Sequence, residues 1–151
     1  MFDRLVGFYK RYGWPMEQVP DNTILTIRYS GDIALWDFIA SSDEPTQTIT
    51  MFARVPEVCP PELFKTMSEF LERANFGMTY GAWVMDRRDG EIRYRVGADV
   101  GNLAINDEFL ESLTLYTNLT MNHYLKAIFA ILKEGASAQA TFNLVFSDDQ
   151  N

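Results

Sequence analysis

The sequence predicts an α+β fold: an antiparallel five-stranded sheet with helices packed on one face, in the order α-β-β-β-α-β-β-α. Three observations carry this expectation. Runs that alternate apolar and polar residues are joined by short turn sequences, Ser30-Gly31-Asp32 and Arg87-Arg88-Asp89-Gly90, which is the pattern of antiparallel hairpins. Two other stretches, beginning near Pro61 and Asp107, carry apolar residues at helical spacing. The strands come in groups rather than alternating singly with helices, so the helices should cover one face of one sheet.

The first helix is expected over residues 2–12, where Phe2, Leu5, Val6 and Phe8-Tyr9 form one apolar face, with Gly13 and Pro15 ending it. A loop follows to Asn22. Residues 23–29 read as a strand, with Leu25, Ile27 and Tyr29 alternating against Ile24, Thr26 and Arg28. Residues 33–40 return as a second strand with Trp36 and Phe38 on one face, and 41–45 form a turn cluster. Residues 46–55 make a third strand around Ile49, Met51 and Phe52.

Pro56 and Cys59-Pro60-Pro61 break the sheet, and a proline in the first turn suits the start of a helix. Leu63, Phe64, Met67, Phe70 and Leu71 form its stripe, which Asn75-Phe76-Gly77 ends. Residues 78–86, with Trp83 and Val84, and residues 91–96 read as a fourth and fifth strand around Asp89-Gly90. In the fifth, Ile92, Tyr94 and Val96 oppose Glu91, Arg93 and Arg95, so one face is buried and the other wet.

A third helix is expected over 107–134, capped by Asn106 or Asp107 and stopped by Gly135, with room for a kink near Asn118-Leu119-Thr120. One domain is thus expected over 1–135. The tail over 136–151 is read as partly disordered: 140–146 suits a short strand or an interaction segment, and 147–151 suits disorder.

Composition narrows the partners. A net charge of -8, from 21 acidic and 13 basic residues, disfavours nucleic acid and anionic membrane surfaces, both of which are met by clustered Lys and Arg. The single cysteine, Cys59, permits no internal disulfide, and the N-terminal stretch has no secretory pattern, which together suggest a cytoplasmic chain. No run approaches the roughly 18 apolar residues of a membrane span.

Several features together resemble the YbjN family, whose fold is similar to that of class I type III secretion chaperones. They are Val55-Pro56 leading into the second helix, and that helix running out in Leu71-Glu72-Arg73-Ala74-Asn75-Phe76-Gly77. They continue with Trp83-Val84-Met85-Asp86, a polar turn, Ile92-Arg93-Tyr94-Arg95-Val96 and a long final helix. The likeness runs from Phe2 to about Gly135. It implies a dimeric module that binds other proteins, described as a stress or sensory regulator, with no catalytic residues to carry over. Secretion chaperones of similar fold hold unfolded segments of their clients.

Catalytic constellations are sparse. His123, the only histidine, is placed mid-helix, and with Cys59 it offers no metal-ligand spacing. Asp86, Arg87, Arg88, Asp89 and Glu91 read as a solvated hairpin tip, where two carboxylates gain no burial to separate their pKa values. Arg93 and Arg95 share a strand face opposite to Tyr94, so no ring stacks beside them, and cross-strand pairing with acidic residues is expected. Gly97 to Gly101 lacks the lysine and hydroxyl of a phosphate loop. No catalytic residue, cofactor or metal is therefore expected.

The surplus lies in 11 Phe, 7 Tyr, 3 Trp and 7 Met. Helices cover one sheet face only, so large residues on the other would form an apolar groove. Trp36, Phe38, Trp83 and Tyr94 are the candidate partner-binding surface. The function expected is a non-catalytic protein-binding module, a chaperone-like or regulatory adaptor acting as a homodimer on a protein partner or client. The alternative is a sensor domain for a small apolar ligand.

Overall fold

In the computed structural model, residues 1–101 and 103–146 are described. The order is α1 (Phe2–Arg11), β1 (Met16–Gln18), β2 (Ile24–Ser30), β3 (Leu35–Asp43), β4 (Thr48–Arg54), a 3-10 turn (Pro61–Leu63), α2 (Phe64–Phe76), β5 (Ala82–Met85), β6 (Ile92–Asp99), α3 (Asp107–Glu134) and α4 (Ala138–Phe146). The strands form one sheet in the order β1-β2-β3-β4-β6-β5, with every neighbouring pair antiparallel.

The sheet has six strands, where five were expected. The additional one is β1, only three residues long and paired to β2 with Met16 opposite Ile27. Met-Glu-Gln carries no alternation of its own; pairing with the following strand, β2, makes it a strand. β3 and β6 each run three residues past their expected ends, to Asp43 and Asp99, because the pairs Asp43↔Thr48 and Thr48↔Asp99 extend the ladder.

Register sorts the side chains. Leu25, Ile27 and Tyr29 of β2 stand opposite Ala40, Phe38 and Trp36 of β3, and Phe38 and Ala40 meet Ala53 and Met51 of β4. Ala53 and Met51 then meet Tyr94 and Val96 of β6, and Tyr94 meets Trp83 of β5. These residues share the face that the helices cover. On it, α1 and the start of α3 enclose a core of Leu5, Phe8, Tyr9, Phe38, Met51 and Leu110. The rest of α3, with α2 and α4, encloses a second core around Trp36, Phe70, Trp83, Tyr94, Leu125 and Ile128.

α4 departs from the expectation for the tail. Residues 138–146 form a helix, and Ala138, Thr141 and Val145 are buried. The packed unit therefore continues past Gly135 to Phe146, and the expected disorder over 147–151 lies outside the described residues. A short apolar run has no decisive period; the apolar surface of α2 and α3 decides between strand and helix.

α3 runs without interruption through Asn118-Leu119-Thr120 and ends at Gly135, whose φ of 67° is left-handed. Asn106 caps its start by accepting from Phe109 N–H at 2.9 Å. Its middle buries polar residues at four-residue spacing. Thr114 gives its hydroxyl proton to Leu110 O at 2.7 Å, so the buried Tyr9 hydroxyl, 2.8 Å away, is the donor to Thr114. Asn118 Oδ1 accepts from Trp36 Nε1–H at 2.9 Å, and Asn118 Nδ2 donates to Thr114 O at 2.9 Å. Asn122 accepts from Asp32 N–H and donates to the Asp32 carboxylate, both at 2.8 Å.

Gly31 completes this contact: a Cβ there would overlap the Trp36 ring and stand 2.7 Å from Asn122 Oδ1. Gly31→Ala should therefore cost about 1–3 kcal/mol in a urea unfolding experiment, the usual penalty of overpacking. Asn118→Ala leaves Trp36 Nε1–H buried without its acceptor and should cost a further-separated loss of about 1–3 kcal/mol by the same measurement.

Candidate partner-binding surface

The uncovered face of the sheet carries ion pairs rather than an apolar groove. Asp37 Oδ1 lies 3.0 Å from Arg28 Nη1 and Asp37 Oδ2 lies 2.6 Å from Arg54 Nη2. Arg54 Nη1 continues to Glu91 Oε2 at 3.6 Å, and Glu91 pairs with Arg93. Arg93 covers the Phe52 ring with its guanidinium 4.4 Å from the centroid. The cross-strand acidic pairing expected of Arg93 and Arg95 is not what forms: Arg93 takes its partner, Glu91, from two residues away. Arg95, exposed on the same face, has no carboxylate partner among the described residues.

The four aromatic residues expected to form the surface are all buried: Trp36, Phe38, Trp83 and Tyr94 lie on the helix-covered face. Parity decides this, because each shares a face with residues that contact α1, α2 or α3. The structure brings two of them together. Trp83 and Tyr94 are cross-strand neighbours with ring centroids 5.3 Å apart, and Tyr94 reaches Tyr116 at the edge of an exposed groove. Trp36 and Phe38 sit farther along the sheet, Trp36 stacked on Tyr29 and Phe38 edge-on to Tyr9.

That groove is walled by α3 and by the turn between α2 and β5. Tyr94 O–H donates to Tyr80 O at 2.6 Å, which ties the turn to the sheet. The Tyr80 ring meets the Tyr116 ring edge-on at 5.6 Å, and Tyr116 lies 6.2 Å from Tyr94. Burial, and then the neighbouring Tyr116, push the Tyr94 phenol above its ordinary range, so it stays a proton donor. Farther along, a cavity of about 440 Å³ opens between Met78, Leu119, His123 and Phe146, with Tyr124 behind. On the other side of Tyr116 a cavity of about 240 Å³ runs under Tyr80 to Val96 and Leu113. Tyr80 is 63% exposed and Leu119 58% exposed, so an apolar band crosses this side of the molecule.

Sequence periodicity does not separate this band from the core-facing side of α3. The signal was present. In the middle of the helix Thr114, Thr117 and Asn118 are buried while Leu115, Tyr116 and Leu119 are exposed. Polar residues inside and leucines outside invert the usual pattern, and an inversion of that kind marks an outward apolar face.

The remaining candidates for chemistry are dispersed. His123 is exposed on α3 and forms an edge contact with Tyr124. Cys59 is buried, its thiol is pushed up by burial and then by Glu62, and it lies against Pro60 O at 3.6 Å. A raised thiol is a poor nucleophile. Among the described residues no group of three or more His, Cys, Asp or Glu converges as metal ligands. No described helix is long and apolar enough to cross a membrane.

At the hairpin tip, hydrogen bonds from the Arg88 side chain, and then from its main-chain N–H, hold the Asp86 carboxyl at about 2 against an ordinary 3.8. A carboxylate lowered in the folded state keeps its pair above its ordinary pKa and loses it as pH falls through the lowered value. An NMR titration should give Asp86 a midpoint near 2, and Arg88→Gln should bring that midpoint back toward 3.8.

Solved structures match the chain over most of its length, two of them as follows. One is the crystal structure of YbjN from E. coli, described as a candidate transcription regulator: TM-score 0.68, 12% identity, covering 87% of this chain and 94% of that one. The chain has a YbjN-like fold. The other is a chain of the ExsC–ExsE complex, with TM-score 0.58, 12% identity, and coverage of 83% of this chain and 90% of that one. No protein-family model matches the chain, and no curated protein matches it in sequence. The YbjN-like fold is therefore shared through its antiparallel sheet and helices, at an identity where side chains have been almost wholly replaced.

Proposed function

We propose that this chain is a non-catalytic protein-binding module, a chaperone-like or regulatory adaptor of the cytoplasm acting as a homodimer. The observation that carries the reading is the exposed apolar band of Tyr80, Tyr116 and Leu119, continuous with two cavities. Exposed aromatics held by packed neighbours lose little conformational freedom on binding, which favours them as interface anchors. The ExsC–ExsE chain offers a precedent in which the same architecture occurs in a two-protein complex. That precedent supports the reading by analogy of fold.

The cavity of about 440 Å³ favours one other reading, a sensor that takes a small apolar ligand. A bound ligand raises the melting temperature by mass action, so a thermal-shift screen against metabolites distinguishes it.

The deciding experiment is affinity capture of the tagged chain from its own lysate, with light scattering on the same preparation. The expected result is a dimer that retains one protein stoichiometrically. Leu119→Asp, at an exposed position, should leave the melting curve unchanged and weaken that complex about tenfold or more. A monomer that retains nothing sinks the binding reading in favour of the sensor.

A further inference from the structure

One long edge of β6 is only partly covered. Val55 N–H donates to Ile92 O and Val100 N–H to Gln47 O, both at 2.9 Å, so the even-numbered residues of β6 direct their main chain at β4. Asp86 N–H donates to Glu91 O at 2.9 Å, so the odd-numbered residues face β5. β5 pairs only as far as Ala82 opposite Arg95, whereas β6 continues to Asp99. The segment before Ala82 turns toward the helices, where Tyr80 meets Tyr94 and Tyr116. Gly97, exposed, therefore presents its N–H and C=O along an edge with no strand beside it among the described residues.

Two neighbouring features match the same occupant. On the helix side of this edge lies the cavity of about 240 Å³ lined by Tyr80, Val96, Phe109, Ser112, Leu113 and Tyr116. A strand laid beside Gly97 would send alternate side chains into it, because pleating directs every second residue to one face. On the opposite face Arg95 presents the exposed guanidinium that no described carboxylate meets. The side chains between the apolar ones would pass close to that charge.

We propose that the β6 edge at Gly97 takes an extended segment of a partner protein, added as a strand, with apolar residues at alternate positions and acidic residues between them. The proposal rests on the protein-binding reading above and locates the contact within it. Main-chain hydrogen bonds to Gly97 supply the pairing, the cavity selects an apolar side chain, and Arg95 selects the acidic neighbour. The site is short, so side-chain recognition must carry much of the affinity.

The test uses the full chain, isotope-labelled, titrated with the synthetic peptide Ser-Glu-Val-Glu-Phe-Glu-Val-Ser and with a scrambled peptide of the same composition. The expected result is intermolecular contact at the Gly97 and Asp99 amides with the alternating peptide, at least about tenfold tighter than with the scrambled one. Gly97→Pro removes the donor and should weaken binding about tenfold or more. Gly97→Ala should bind as the parent does, since its Cβ meets Thr50 Oγ1 at 3.9 Å and Ile49 O at 4.0 Å, both ordinary contacts. Ser112→Trp, made at an exposed position to fill the cavity, gives a second variant should the proline disturb the strand, and it should weaken binding equally.

Equal binding by Gly97→Pro and Ser112→Trp, contacts confined to Leu119 and His123, or no binding of the alternating peptide below about 1 mM would overturn the edge site. In each of those cases a partner captured from lysate leaves the protein-binding reading standing, and the lack of one removes both. Gly97 protected in a peptide-free dimer, and released by Gly97→Pro, would assign the edge to a second copy and overturn the proposal as well.

Discussion

The seating of α3 on the sheet rests on one buried hydrogen bond and its two neighbours along the helix. Asn118 accepts from Trp36, Thr114 receives the Tyr9 hydroxyl, and Asn122 holds the turn at Asp32. Apolar packing alone would tolerate a helix that slid or rotated by a fraction of a turn, because burial has little directional preference. A buried indole N–H does not tolerate it: losing its acceptor costs the full desolvation of the group. The three contacts come from α1, β3 and the β2–β3 turn, so the helix is held against both halves of the core. Gly31 belongs to the same arrangement, since its missing side chain is the space in which Trp36 and Asn122 meet.

This seating has a consequence for the surface. With Thr114 and Asn118 turned inward, the helix must turn Leu115, Tyr116 and Leu119 outward. The outward band lies beside the segment that leads into β5, and Tyr94 fastens that segment by its hydroxyl. The polar contacts that orient α3 therefore also create the apolar surface proposed for binding. The ion pairs from Arg28 to Arg93 occupy the opposite side of the sheet, so the two faces have distinct chemistry.

The likeness to YbjN and to the ExsC–ExsE chain at 12% identity fits the way the fold is specified. Its determinants are mostly alternation in strands, turn residues and apolar stripes, which many side chains satisfy equally well. A binding surface depends on particular side chains, and the fold alone does not transmit them.

The sequence by itself determined the α+β class, the hairpins at Gly31 and Gly90, the start of α3 at Asn106 or Asp107 and its end at Gly135. These features are written in local signals: alternation, turn chemistry and caps act within a few residues of one another. It also determined that Tyr94 and Arg93 face opposite sides of β6, since pleating makes that a matter of parity. Tertiary structure decided which of the two faces the helices cover, and so buried Trp36, Phe38, Trp83 and Tyr94 instead of presenting them. It also made Met16–Gln18 a strand and 138–146 a helix, because each takes its conformation from the element it packs on rather than from a period of its own. The outward apolar band of α3 was decided in the same way: a hydrogen bond from β3, 82 positions distant in sequence, rotates the helix that carries it.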